Sequence, residues 1–156
     1  MPPRILFVCL GNICRSPAAE AVFRTLSEKA DLDLTLDSAG TAGWHIGKSP
    51  YDPMQNSAQN RGYDMSALRA RQFSMHDFAD FDLLIGMDMD NIADMKTKRP
   101  NGNNTPIRLF TDFSKNNQAS DIPDPYYTRD FDGALDLIEE SSRGLIEQLQ
   151  NGVSLV

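Results

Sequence analysis

The stretch Cys9-Leu10-Gly11-Asn12-Ile13-Cys14-Arg15-Ser16-Pro17 decides how this chain is read. It is entered by a continuous apolar run, Ile5 to Leu10, the pattern of a strand at the centre of a parallel sheet. It leads into Pro17 to Ala30, where Ala18, Ala19, Val22, Phe23, Leu26 and Ala30 recur at helical spacing. Pro17 suits a first helical turn and Ser16 the N-cap position before it. The loop between Cys9 and Ser16 therefore joins a strand end to a helix N-terminus. At such a junction backbone N–H groups and the positive end of the helix dipole converge on one place. Gly11 and Asn12 both tolerate positive φ, which lets successive N–H groups turn inward. Cys9 stands at the entrance of this cup and Arg15 at its exit. Those surroundings stabilise a thiolate and a bound dianion together, as phosphoryl transfer to sulfur requires.

Further along, Leu32, Leu34 and Leu36 alternate with Asp33, Thr35 and Asp37, predicting a strand covered on one face, near a sheet edge. Ser38 to Asp52 reads as a loop carrying Trp44, and Pro53 to Arg61 as a helix ending at Gly62. Asp82 to Met87 is a third strand, with Asp88 placed to cap the helix that follows. Ile107 to Phe110 is a short fourth strand, Thr111 to Arg129 a long polar loop, and Asp130 to Gln150 a closing helix. That helix carries Phe131, Leu135, Ile138, Leu145 and Leu149 on one face. Strands alternate with helices. The expected fold is a three-layer α/β single domain over residues 1–156, with a central, mainly four-stranded parallel sheet and helices on both faces. Ligands of such sheets sit beyond the carboxyl ends of the strands, where the loop after the first strand lies.

Composition narrows the function classes. The chain has 156 residues, 40% hydrophobic and 24% charged, the balance of a soluble globular protein. No apolar run is long enough to span a bilayer, and the N-terminal stretch lacks a signal-peptide cleavage pattern, so a cytoplasmic location without membrane attachment is expected. A net charge of −7 opposes nucleic-acid binding. It also means that any anion site must be made by local geometry. Two cysteines five residues apart form no disulfide framework. His45 and His76 stand in no ligand spacing to them, so neither a metal nor another cofactor is expected. Both histidines read as loop residues. Asp124, before Pro125, has the composition of a turn residue.

Taken together, these residues resemble the low-molecular-weight protein tyrosine phosphatase family. Cys9 to Ser16 matches its Cys-x5-Arg-Ser signature, and Asp124-Pro125-Tyr126-Tyr127 matches its distal Asp-Pro-Tyr-Tyr loop. Asp37-Ser38-Ala39-Gly40, Arg69-Ala70-Arg71-Gln72 and Met87-Asp88 fall between them in the family's order. One departure is Leu68, where some members carry His. The resemblance implies metal-free hydrolysis of phosphotyrosine in proteins, with phosphate, vanadate and similar oxyanions as inhibitors. It implies Cys9 as the nucleophile and Arg15 as the grip on the phosphoryl oxygens. The backbone N–H groups of Leu10, Gly11, Asn12, Ile13, Cys14 and Arg15 would bind the remaining charge. Ser16 would stabilise the Cys9 sulfur, Asn12 would brace the loop through Ser38, and Asp124 would serve as general acid and then base. Trp44, Tyr126 and Tyr127 would wall the entrance and stack on the substrate ring. The spacing of Cys9 and Cys14 lets their sulfurs approach, which suggests Cys14 as a redox partner. Two relatives stay open as alternatives. An arsenate reductase would have to rely on an external thiol, since no cysteine follows Cys14. A protein-arginine phosphatase typically has Thr where this chain has Ile13.

Overall fold

Arg4–Cys9 forms β1, and its side chains alternate between two apolar layers. Ile5, Phe7 and Cys9 pack into one, Leu6 and Val8 into the other, which is why this strand has no polar residue between its ends. The computed structural model describes residues 2–116 and 120–152. Beside β1 run β2 (Thr35–Gly40), β3 (Leu83–Gly86) and β4 (Ile107–Leu109) in the order β2-β1-β3-β4, with every pairing parallel. Helices α1 (Arg15–Lys29), α2 (Asp52–Asn60) and α6 (Phe131–Gln150) cover the face of Ile5 and Phe7. The short α3 (Asp77–Asp80) and α4 (Met89–Thr97) cover the other. This is the three-layer α/β arrangement expected from the alternation of elements. A last short helix, α5 (Pro125–Thr128), stands at the carboxyl end of the sheet. Among the described residues no helix is long and apolar enough to cross a membrane.

The chain runs from β1 outward to β2, then returns across β1 to β3. That reversal opens a crevice beyond the carboxyl ends of β1 and β3, and the loop from Cys9 to Arg15 lies there.

Several boundaries differ from the sequence pattern for identifiable reasons. The alternating leucines predict a strand from Leu32, yet β2 begins at Thr35 and takes Ser38, Ala39 and Gly40 from the expected loop. Parallel pairing decides this, because β1 supplies partners from Arg4↔Thr35 through Cys9↔Gly40. Gly40 is required at the end of the pairing. A Cβ there would stand 2.8 Å from the Leu10 carbonyl oxygen and 3.0 Å from the Gly11 carbonyl carbon. Phe110 leaves the expected fourth strand to open a 3-10 turn, Phe110–Phe113, with its ring 5.3 Å from that of Phe7. The polar segment Thr111 to Arg129 thus holds this turn and α5; its residues 117–119 lie outside the described residues. In α6, Asp130 caps the first turn by accepting from Gly133 N at 2.9 Å. Leu135, Ile138 and Leu145 of the expected apolar face are fully buried there.

Candidate active site

Carbonyl orientation builds the cup. The Cys9, Leu10 and Ile13 carbonyls accept from the N–H groups of Thr41, Ala42 and Tyr51, each at 2.9 Å, and that of Cys14 accepts from Ala18 N at 3.2 Å. A loop whose carbonyls are turned outward presents its N–H groups to the concave side. Asn12 N–H donates to Cys9 Sγ at 3.3 Å. The turn is made by Asn12 alone, at φ 58°. Gly11, expected to share that role, does not have positive φ; it is small for another reason. A Cβ on it would lie 3.0 Å from the His45 ring, which folds over this backbone.

α1 begins two residues before Pro17, with Cys14 at the N-cap and no side-chain cap. Ser16 is therefore not the cap its position suggested. Its hydroxyl is turned to the floor of the cup, 3.0 Å from Cys9 Sγ, where it also accepts from Asn12 Nδ2 at 2.7 Å. Leaving the cap empty leaves helix N–H groups free for an anion.

Buried partners fix the direction of the proton on Ser16. Arg71 N–H donates to Asn12 Oδ1 at 3.0 Å, so the amide's nitrogen faces the other way, toward Ser16 Oγ and Ser38 Oγ. The Ser38 hydroxyl donates to Glu20 Oε1 at 2.9 Å, and Arg24 Nη2 donates to Glu20 Oε2 at 2.9 Å. Ser16 thus receives a hydrogen bond from Asn12 and has its own proton for Cys9, Ala39 O being a longer 3.4 Å away. Burial raises the Glu20 carboxyl above its ordinary range, although the bonds from Ser38 and Arg24 act in the opposite sense. Burial, and then the neighbouring Cys9 sulfur, push the Cys14 thiol up to about 12. Both cysteines are free.

Arg15 is 2% exposed at the first turn of α1. Its Nη1 donates to Asp88 Oδ2 at 2.6 Å and to Ile122 O at 3.0 Å, while Nη2 reaches Asp124 Oδ2 at 3.4 Å. Its Nε is buried without a partner. Burial by itself would lower this guanidinium, but Cys9, Asp88 and Asp124 outweigh it and its pKa is raised. Asp124 is the N-cap of α5, accepting from Tyr126 N at 3.1 Å.

Above the cup opens a cleft of about 260 Å³. Cys9, Leu10, Gly11, Ile13, Cys14 and Arg15 form its floor, and Trp44, His45, Asp124, Tyr126 and Tyr127 its walls. Ser16 and Asn12 lie behind the floor, 0% and 3% exposed. The walls are aromatic and open. Trp44 is 67% exposed and Tyr127 70%, and the rings of Tyr126 and Tyr127 meet edge-on at 5.3 Å.

Two residues with a place in the site were read otherwise from sequence. Asp88 does cap α4, accepting from Asn91 N at 2.8 Å, but its other oxygen holds Arg15. Its position directly after a strand, at the end where ligands bind, was the available signal. His45, read as a loop residue, forms a wall of the cleft beside Trp44. Leu68, at the departure from the family pattern, packs half-buried against the core. The cup is tied to that side by the backbone of Arg71, whose guanidinium is held by Asp37 and Asp77 at 3.0 Å each.

Residues 4–155 match the family model described as low molecular weight phosphotyrosine protein phosphatase. YfkJ of Bacillus subtilis, named a low molecular weight protein-tyrosine-phosphatase, is 40% identical over 94% of this chain and 95% of its own. Its crystal structure superposes with a TM-score of 0.93 at 38% identity, over 99% of this chain and 98% of that one. A protein tyrosine phosphatase of Entamoeba histolytica, solved with Hepes in its active site, superposes at 0.91 and 35% identity over 96% and 98% of the two chains. DARP, a Drosophila arginine phosphatase, does so at 0.87 and 31% identity over 97% and 99%. With its anion cup, buried arginine and aromatic cleft on that shared fold, the chain belongs to the low molecular weight phosphotyrosine protein phosphatase family.

Proposed function

We propose that the protein hydrolyses phosphotyrosine in other proteins through a phosphocysteine formed on Cys9. The observation that carries this reading is Arg15, a buried cation whose Nε has no partner at the floor of an aromatic cleft. A phosphoryl oxygen supplies the missing acceptor. Cys9 sulfur attacks phosphorus and the bond to the tyrosyl oxygen breaks. Asp124 gives its proton to the departing phenolate. Water then attacks the phosphocysteine, Asp124 takes a proton from it, and the sulfur leaves as a thiolate that receives the Ser16 hydrogen bond. Arg15 and the inward N–H groups stabilise the charge that spreads over the phosphoryl oxygens. The 3.4 Å contact to Arg15 Nη2 is long, so a phosphoryl oxygen readily replaces Asp124 there and leaves it free for the leaving oxygen. Ile13, Trp44, Tyr126 and Tyr127 hold the ring.

Rapid quenching during turnover of a phosphotyrosine peptide, followed by mass spectrometry, is expected to find one phosphoryl group on the Cys9 peptide. Cys9→Ser is expected to abolish turnover yet still bind phosphate and vanadate. Turnover that survives in Cys9→Ser sinks the reading.

The Drosophila arginine phosphatase among the structural relatives motivates a second reading, hydrolysis of phosphoarginine. Ile13 argues against it, because a β-branched apolar side chain on the cleft floor packs on an aryl ring and obstructs a guanidinium phosphate. Phosphotyrosine is expected to be turned over with the higher kcat/KM, and Ile13→Thr to raise relative activity on phosphoarginine. Wild-type preference for phosphoarginine reverses the assignment.

A further inference from the structure

Two further depressions open from the cleft; each shares walls with it and none with the other. One, of about 420 Å³, continues from Ile13, His45 and Tyr126 to Lys48 and Asp52. The other, of about 410 Å³, continues from Leu10, Arg15 and Tyr127 over the first turns of α4, to Asp88, Asp90 and Asp94. Their charges differ sharply. Asp88 and Asp124 share Arg15, whereas Asp90 and Asp94 are exposed and carry no ion pair among the described residues. Lys48 is likewise exposed, and its ammonium has no ion pair among the described residues. Asp52 lines the same depression from the first turn of α2, where the helix dipole offsets part of its charge. His45 adds an imidazole with no hydrogen bond or ion pair to its ring among the described residues.

We propose that the cleft reads the charge and direction of the peptide around phosphotyrosine. Acidic side chains of the substrate are accepted on the side of Lys48 and His45 and repelled on the side of α4. The preferred substrate therefore carries acidic residues on one flank of its phosphotyrosine only. This inference rests on the phosphotyrosine reading above. With the phosphoryl group held by Arg15 and the ring between aromatic walls, the chain must leave the cleft in two directions. An extended peptide advances about 3.3 Å per residue, so the first three residues on each flank stay within roughly 10 Å of the ring, over the depressions. That is close to the Debye length of about 8 Å at physiological salt, so these charges are felt. The protein's net charge of −7 repels acidic peptides in general, which leaves the Lys48 side as a local exception.

Two phosphotyrosine peptides of identical composition, with their glutamates all before or all after the phosphotyrosine, test it. One is expected to show the higher kcat/KM, by about two- to fivefold for each rim charge engaged, with the difference shrinking in high salt. Lys48→Glu should erase the preference by slowing the favoured peptide. Asp90→Lys combined with Asp94→Lys should erode it by speeding the disfavoured one. Both variants change exposed side chains and should turn over 4-nitrophenyl phosphate as the wild type does. Equal kcat/KM for the two peptides, with 4-nitrophenyl phosphate turned over normally, overturns this inference alone. So does a preference that persists unchanged in both charge-reversed variants. Failure of the wild type on the peptides and on the aryl phosphate overturns the phosphotyrosine reading and this inference with it.

Discussion

Asn12, Arg15 and Ser16 on and behind the floor of the cleft are at most 3% exposed, whereas Trp44 and Tyr127 on its rim are 67% and 70% exposed. The floor is held by polar contacts drawn from β1, β2, α1, the segment around Arg71 and the N-cap of α4, with Arg15 Nε left over for a ligand. Loss of one member leaves others buried without partners. The rim stands on the turn that carries Trp44 and His45 and on the short helix α5, and it presents flat apolar surface. Side chains there can change without exposing a buried polar group. On the proposed reading the chemistry rests on the buried floor, while the exposed rim helps Ile13 to hold the substrate, and variants of floor and rim should fail in different ways.

Asp124 joins the two regions, since it stands on the rim and touches Arg15 on the floor. Asp124→Asn should slow phosphorylation of Cys9 by about 10²–10⁴-fold in single-turnover assays. The loss should be smallest for nitrophenolate and largest for an unactivated phenol. A loss independent of the leaving group would return Asp124 to the role of a turn residue.

Within the floor, Cys9 and Cys14 should separate under peroxide. Cys9 is oxidised to the sulfenic acid, Cys14 thiolate attacks that sulfur, and water leaves as the disulfide forms. The Cys14 thiol is pushed up to about 12, so its thiolate fraction, and with it disulfide formation, should rise about tenfold per pH unit through the neutral range. Mass spectrometry that finds only sulfinic acid on Cys9 at alkaline pH would falsify the redox pairing.

Asn12→Ala should damage stability and catalysis together. It leaves Ser38 and Ser16 without a donor and Arg71 N–H without an acceptor, worth about 1–3 kcal/mol in denaturant unfolding, and it lowers kcat. Trp44→Ala should do neither. Removing an exposed ring should raise KM for aryl substrates by about two- to tenfold and leave the unfolding midpoint in place. If Trp44→Ala destabilises the fold, the contrast between floor and rim collapses.

The smallest effect concerns Glu20. Its carboxyl binds its proton more tightly in the folded chain than in the unfolded one. Between the ordinary carboxyl value and the raised one, the folded state therefore holds more protons. Stability falls as pH rises through that window, and acidification through it restores stability. Glu20→Gln should flatten this segment of the stability profile, measured as unfolding midpoint against pH. An unchanged slope would place the titration elsewhere.

Much of this was legible in the chain because it is local. From Cys9 to Ser16 the residues of the cup are contiguous, and an apolar run before them and a helical pattern after them state that a strand end meets a helix start. The alternation of elements follows from periodicity, and the family motifs single out Asp124. What the chain could not state is which distant groups meet. The same Ser16 suits an N-cap or a bond to sulfur, and only the packing of Asn12 between Ser16, Ser38 and Arg71 chooses the second. Asp88 is a sufficient cap for α4 by its own sequence. It becomes the partner of Arg15, 73 positions earlier, because β3 pairs with β1 in the register Val8↔Gly86 and sets the two loops side by side. Periodicity reports which face of an element is apolar, and short-range spacing reports caps and turns. Strand register is decided by the pairing of whole elements, and that pairing chooses the partners of the buried charges.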